Sequence, residues 1–159
     1  MDNYALQYFS KKITYNVLFE KVDEVAAALA YEGIKKGDIV ILLMTSCPEN
    51  VCLFLAINKI GAIANMINPL FSKEQIRDNI NNVEAKLMFV LDQFYSKISD
   101  ISKELCVKKT VIIPIVNSMP PITKILAGIR LNKKIDFNKK VISWKAFLQF
   151  KKEIASVQI

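Results

Sequence analysis

Between residues 38 and 115 the chain alternates between two hydrophobic patterns. The segments "IVILLM" (residues 39–44), "AIANMI" (62–67), "KLMFVL" (86–91) and "TVIIPI" (110–115) are short, aliphatic or β-branched, and show little polar alternation. Such runs predict strands buried on both faces, as in a parallel sheet. The stretches between them predict helices. Pro48 sits just inside the first, where its missing N–H costs nothing, and that helix carries Val51, Phe54 and Leu55 before stopping at Gly61. Ser72 predicts the cap of a second, through Asn82, after a turn at Asn68-Pro69. Asp92 predicts the cap of a third, to about Leu105.

Upstream, residues 4–9 and 12–14 predict a hairpin-like start around Ser10-Lys11. Thr14 then caps a helix over residues 15–31, whose apolar stripe is Leu18, Val22, Val25, Ala26 and Leu29. Gly33 ends it by taking the left-handed conformation a C-cap needs, and Lys35-Lys36-Gly37 turn the chain into the first strand. Beyond Pro114 the pattern weakens. A Pro-Pro break precedes an amphipathic helix over residues 122–131, a lysine-rich loop follows, and "VISWKAFLQF" supplies a strand residue or two and a short helix bearing Trp144, Phe147 and Phe150.

Alternating strand and helix is most economically solved by parallel strands joined through right-handed crossovers. The expected fold class is therefore α/β: an open parallel sheet with helices on both faces. The expected organisation is a hairpin-and-helix segment (residues 1–36), a βα-repeat sheet unit (37–116) and a basic tail with short helices (117–159).

Composition narrows the chemistry. With 52% hydrophobic and 23% charged residues, the 159-residue chain is globular in class. Its apolar runs fall far short of the ~20 residues that span a bilayer, and "MDNYALQYFSKK" lacks a secretory pattern. Cytoplasmic location is the expectation. The chain has no His, which removes every Ser-His or Cys-His nucleophile arrangement. Cys47, Cys52 and Cys106 form no C-x-x-C pair and read as inert thiols rather than a metal site. Net charge is +7, carried by the second half: residues 93–159 hold 13 Lys/Arg against 4 Asp/Glu. These lysines fall in scattered doublets without an Arg-rich helix, so they read as solvated surface, with no nucleic-acid partner expected.

One ordered set of residues goes further. "ITY" from Ile13, Leu18, "LAYEGIKKGDIV" from Leu29, "CPE" from Cys47, "KIGAIANMINP" from Lys59 and "EAKLMFVLD" from Glu84 resemble the N-terminal part of AMP-forming acyl-CoA synthetases. These are adenylate-forming ligases, a group that includes fatty-acid ligases and luciferases. The resemblance is close over residues 13–92 and looser beyond, including "VISWKAF". The chain departs from the family's pattern at Thr45-Ser46, where members often carry Pro-Asn, and at Val17, where a Glu would complete a capping box with Thr14. The resemblance implies an incomplete N-terminal piece of the family's large domain. It also implies that the helix over residues 15–31 packs on a second sheet, most of whose strands this chain does not supply.

The family's reaction, as the resemblance implies it, joins a carboxylic acid to CoA through an acyl-AMP, using ATP and Mg. It relies on a Ser/Thr/Gly-rich loop of the type "YTSGTTGxPK" to hold phosphates. The only glycine after Gly61 is Gly128, in "LAGIR", so these residues contain no such loop, and neither Lys124 nor Lys152 stands in for the family's catalytic lysine. No residue therefore receives a catalytic, cofactor-binding or metal assignment: ATP, Mg and CoA are implied only for a complete enzyme. Glu20, Asp23, Glu24 and Glu32 read as solvated helix charges. Asn58, Asn65 and Asn68 read as turn and cap residues. Phe89, Phe94 and Tyr95 read as packing, and Trp144, Phe147 and Phe150 as an anchor for the last helix.

The expected function is an N-terminal fragment of an acid–thiol ligase, inactive alone. The alternatives are one chain of a split ligase whose partner is the missing remainder, or a non-catalytic interaction module using the basic tail.

Overall fold

The computed structural model describes residues 3–115 and 135–149. The sequence-predicted helix over residues 122–131, Lys124, Phe150 and Lys152 lie outside them. Strands β1 (Tyr4–Tyr8) and β2 (Lys11–Thr14) form an antiparallel hairpin. Its turn is Phe9-Ser10, one residue earlier than expected, and Phe9 takes the left-handed conformation (φ 52°) there. Helix α1 (Tyr15–Tyr31) begins where predicted, with the Thr14 hydroxyl accepting the Val17 N–H at 3.4 Å. It ends where Gly33, at φ 78°, supplies the left-handed turn.

The remaining strands are β3 (Ile39–Leu43), β4 (Ile63–Ile67), β5 (Ala85–Leu91), β6 (Lys109–Ile113) and β7 (Val141–Ser143). They form one parallel sheet in the order β4-β3-β5-β6-β7. Helices α2 (Pro48–Lys59) and α3 (Lys73–Asn81) connect β3 to β4 and β4 to β5. Pro48 is in the first turn of α2, as predicted, and Ser72 caps α3 in a full capping box with Gln75.

Both faces of the sheet are covered, and the period-2 geometry of a strand divides the side chains between them. From β3, Val40 and Leu42 join one core with Leu87, Phe89, Val111 and Ile113, while Ile41 and Leu43 join the opposite core with Met88, Val90 and Ile112. Helices α3 and α4 (Tyr95–Ile101) cover the second face, through Ile76, Ile80, Ile98 and Ile101.

Helix α1 packs on this sheet, beside α2, and keeps Tyr15, Val17, Phe19 and Tyr31 exposed. Leu18, Val22, Val25 and Leu29 share one core with Leu53, Ala56 and Ile57 of α2 and with Phe89. A Lys59–Asp23 ion pair bridges the two helices on the solvent side. The apolar stripe fits the groove beside α2 and is buried there.

The third connection is also shorter than predicted. Asp92 begins a 3-10 turn (Asp92–Phe94), α4 runs only to Ile101, and a second 3-10 turn (Ser102–Glu104) follows. Ser99 and Ser102 donate their hydroxyls to the carbonyls of Ser96 and Ser99, at 3.0 and 2.8 Å. Such local bonds compete with the helical ladder and help to end it.

Beyond β7 the chain is helical over residues 144–149. Phe147 is fully buried, stacked on Trp144 (5.4 Å between centroids) and edge-on to Phe89 of β5 (5.1 Å). This trio ties the last described segment to the centre of the sheet. Phe147→Ala is expected to cost about 3–5 kcal/mol, the range for emptying a buried aromatic site. The chain's one tryptophan is Trp144, so the same variant should red-shift its emission; denaturant titration followed by fluorescence measures both.

Candidate functional site

In open α/β sheets, ligands bind outside the carboxyl ends of the strands, at the point where strand order reverses. Here the chain moves outward from β3 to β4, then crosses back to β5, so the reversal lies between β3 and β5. The segments meeting at this edge are residues 44–47 after β3, 68–71 after β4, 92–93 after β5 and 114–115 after β6.

Each is held by polar contacts that sequence reasoning only partly located. Asn50, in the first turn of α2 and nearly fully buried, donates its Nδ2 to the Thr45 carbonyl at 3.2 Å; its Oδ1 is buried without a donor. Asn68 accepts the Leu70 N–H on Oδ1 at 2.9 Å, the turn chemistry expected before a proline. Lys97 of α4 donates to the carbonyls of Pro69 and Phe71, at 2.9 and 3.0 Å. Asp92 Oδ1 accepts two backbone N–H groups, from Gln93 at 2.8 Å and from Ile115 at 3.1 Å, and so joins the ends of β5 and β6. Neither Lys97 nor Asn50 carried a sequence signal, since their bonds reach main-chain atoms whose position only the fold sets.

The electrostatics are those of a support rather than a reactive centre. Burial raises the Asp92 carboxyl, partly offset by the Ile115 and Gln93 amides. Burial also pushes the thiols of Cys47 and Cys52 up to about 11 and about 12, which leaves them protonated and poorly nucleophilic near neutrality. The Tyr8 hydroxyl is raised by burial, then by Cys47 and Glu49, placing the hairpin against the loop after β3.

The other residues singled out in the sequence disperse over the fold. Asp23 pairs with Lys59, Asn58 donates to the Phe54 carbonyl, and Glu20 is exposed. Glu32 corrects the reading of a solvated charge. Its side chain is only 8% exposed, ion-paired with Lys109 at the amino end of β6, with Oε1 buried and unpartnered. Phe89 is core, while Phe94 and Tyr95 pack at the rim of the second core.

Two cavities, of about 310 and 290 Å³, lie near the amino ends of β5, β6 and β7, away from the carboxyl edge. A third, of about 90 Å³ between α1, α2 and Trp144, is well below the ~300–1,000 Å³ of an ordinary small-molecule site. Among the described residues, no group of three His, Cys, Asp or Glu could hold a metal. At the carboxyl edge, Asp92 is committed to amides and Lys97 to carbonyls. The donor set does not fit a magnesium-bound triphosphate, and no catalytic step is derived through one.

Two measurements test this electrostatic picture. Asp92 holds its proton to higher pH when folded than when unfolded. The native state therefore binds more protons between the two values, and stability falls as pH rises through that window, from about 4 upward. Asp92→Asn keeps the Oδ1 acceptor and should abolish that decline, measured as unfolding free energy against pH. In native protein at neutral pH, a maleimide should label exposed Cys106 at once and the buried Cys47 and Cys52 only on unfolding, as read by mass spectrometry.

Comparison with known proteins agrees with this architecture. The sequence profile of the family described as AMP-binding enzyme matches residues 1–141. The acetyl-coenzyme A synthetase of Helicobacter acinonychis (strain Sheeba) is 36% identical over 126 residues, covering 79% of this chain and 19% of that protein. The 3-hydroxypropionyl-coenzyme A synthetase of Sulfurisphaera tokodaii is 33% identical over 131 residues, covering 81% and 19%. Among solved structures, coronafacic acid ligase from Pectobacterium brasiliense superposes with a TM-score of 0.75 at 19% identity, covering 93% of this chain and 26% of that one. That likeness shows the fold, and the chain spans about a fifth of the length of the curated relatives it matches. By the profile match over most of its length, this chain belongs to the family of AMP-binding enzymes.

Proposed function

We propose that this chain supplies the N-terminal α/β portion of an AMP-forming acid–thiol ligase. The family reaction converts a carboxylic acid, ATP and CoA to acyl-CoA, AMP and pyrophosphate. The profile match over residues 1–141 carries this reading, supported by relatives named as CoA synthetases. ATP, Mg and CoA belong to the complete enzyme, as does the acid. The role of these residues is to build a rigid sheet whose carboxyl edge forms one wall against the parts that hold nucleotide. Three free cysteines suit a reducing compartment, and the reading places the protein in the cytoplasm. Among the described residues, no helix is long and apolar enough to cross a membrane.

By itself the 159-residue chain should be silent in catalysis. It contains no glycine- and threonine-rich loop to cradle phosphates, and its sheet edge offers no substitute. Purified chain incubated with ATP, magnesium, CoA and a panel of carboxylic acids should show no pyrophosphate exchange and form no acyl-AMP. Turnover above a no-protein control would overturn the reading.

A further inference from the structure

The cavity of about 310 Å³ lies at the amino ends of β6 and β7, with Tyr95 and Ile98 of α4 in its wall. Lys103, Lys108 and Lys140 line it against a single carboxylate, Asp136, which leaves positive charge in excess. None of these four side chains makes an ion pair among the described residues. Around the neighbouring cavity, by contrast, Lys86 is held by Asp38 and Lys109 by Glu32. Thr110 also lines the larger cavity. It is 7% exposed and interrupts the buried aliphatic run of β6, yet its side chain makes no hydrogen bond among the described residues. Buried hydroxyls are normally paired, so this one is left for something that enters the cavity.

The backbone carrying these groups is fixed. The Thr110 amide donates to the Lys140 carbonyl at 2.7 Å, and Asn138 Oδ1 accepts the Lys140 and Val141 amides at 2.8 and 3.0 Å. Between Lys103 and Lys108, Asn81 donates Nδ2 to the Glu104 carbonyl at 2.7 Å and accepts the Cys106 amide on Oδ1 at 2.9 Å. Uncommitted cations on a held backbone are prepared for an anion, because much of the ordering cost is already met.

We propose that this cavity binds a small phosphate monoester with an apolar body, held by Lys103, Lys108, Lys140 and the Thr110 hydroxyl. A phosphate monoester carries a charge of about −1.5 to −2 near neutrality, which matches the excess of lysine over Asp136. Its three oxygens accept from the ammonium groups and from Thr110. Burial, and then the charge of Asp136, raises the Tyr95 hydroxyl, which stays protonated as a further donor. Ile98, Leu105, Val107 and Val141 complete the wall and take the apolar body. That body is small, because the volume lies at the lower end of the ~300–1,000 Å³ of ordinary ligand sites. A lipid headgroup offers the same chemistry, but a concave site favours a free ester. The site sits at the opposite end of the strands from the carboxyl edge, so it goes beyond the ligase reading and does not rest on it.

The test is calorimetric titration of the 159-residue chain with phenyl phosphate at about pH 8, well above its second pKa of about 6. Binding with a Kd below about 1 mM is expected. Lys108→Ala and Lys140→Ala should each weaken it at least about tenfold, and Thr110→Val at least about threefold. Lys139→Ala removes the same charge from a residue outside the cavity and should change binding by less than about twofold. Benzenesulfonate, the same ring with one charge, should bind at least about tenfold more weakly. If Thr110→Val misfolds by circular dichroism, the exposed lysines and the two anions still decide the matter. No binding of phenyl phosphate, equal losses in Lys139→Ala and Lys108→Ala, or equal affinity for benzenesulfonate overturns the inference. Co-sedimentation with phosphatidic acid vesicles separates the two sources of the phosphate. Capture by vesicles without binding of phenyl phosphate also overturns it, since the lysines then serve a membrane surface. All these outcomes are independent of the turnover assay that judges the ligase reading.

Discussion

Everything in this molecule hangs on β3 being buried on both sides while hydrogen-bonded along both edges. Val40, Ile41, Leu42 and Leu43 are fully buried, and the strand pairs with β4 on one side and β5 on the other. Burying an aliphatic side chain of this size stabilises by about 1.5–3 kcal/mol relative to leaving it exposed. That gain depends on helices covering both faces, so the crossovers stabilise the strands they connect. A charged residue at Ile41 or Leu42 would strike one core directly and the ladder between both.

The polar contacts complement this apolar frame by fixing where each segment ends. At the amino end, Lys86 and the Lys35 amide both engage the Asp38 carboxylate and hold it below the usual range. Glu32, at the end of α1, reaches Lys109 at the start of β6. At the carboxyl end, Asn50, Asp92 and Lys97 bind main-chain groups of loops that would otherwise be free to move. Among the described residues the carboxyl edge is thus held in shape by side chains committed to main-chain groups, which suits a wall of a larger site better than a reactive centre. In a family whose members are several times longer, that division of labour is physically reasonable: one segment supplies rigidity, and others supply the groups that hold phosphate.

Much of this was legible in the sequence because it rests on local rules. Unalternating aliphatic runs gave β3, β5 and β6, since only strands covered on both faces tolerate them. Thr14, Pro48 and Ser72 marked helix starts because capping is a matter of neighbouring atoms. The family resemblance was legible for the same reason: it consists of glycines and turn residues at joints where the backbone itself makes the demand. The larger misreadings are long-range. Asp92 looked like a cap but ties the end of β5 to Ile115, 23 residues on. Glu32 looked solvated but meets Lys109, 77 residues away.

The sequence by itself determined the element types, their order, the parallel two-faced sheet and the family, because periodicity and turn chemistry act over a few residues. Tertiary structure alone decided that α1 lies beside α2 on this sheet, that Trp144, Phe147 and Phe89 form one cluster, and that β4 pairs along one edge only among the described strands. Those outcomes depend on which distant surfaces fill one another's grooves, a property of shape in three dimensions that no local pattern along the chain encodes.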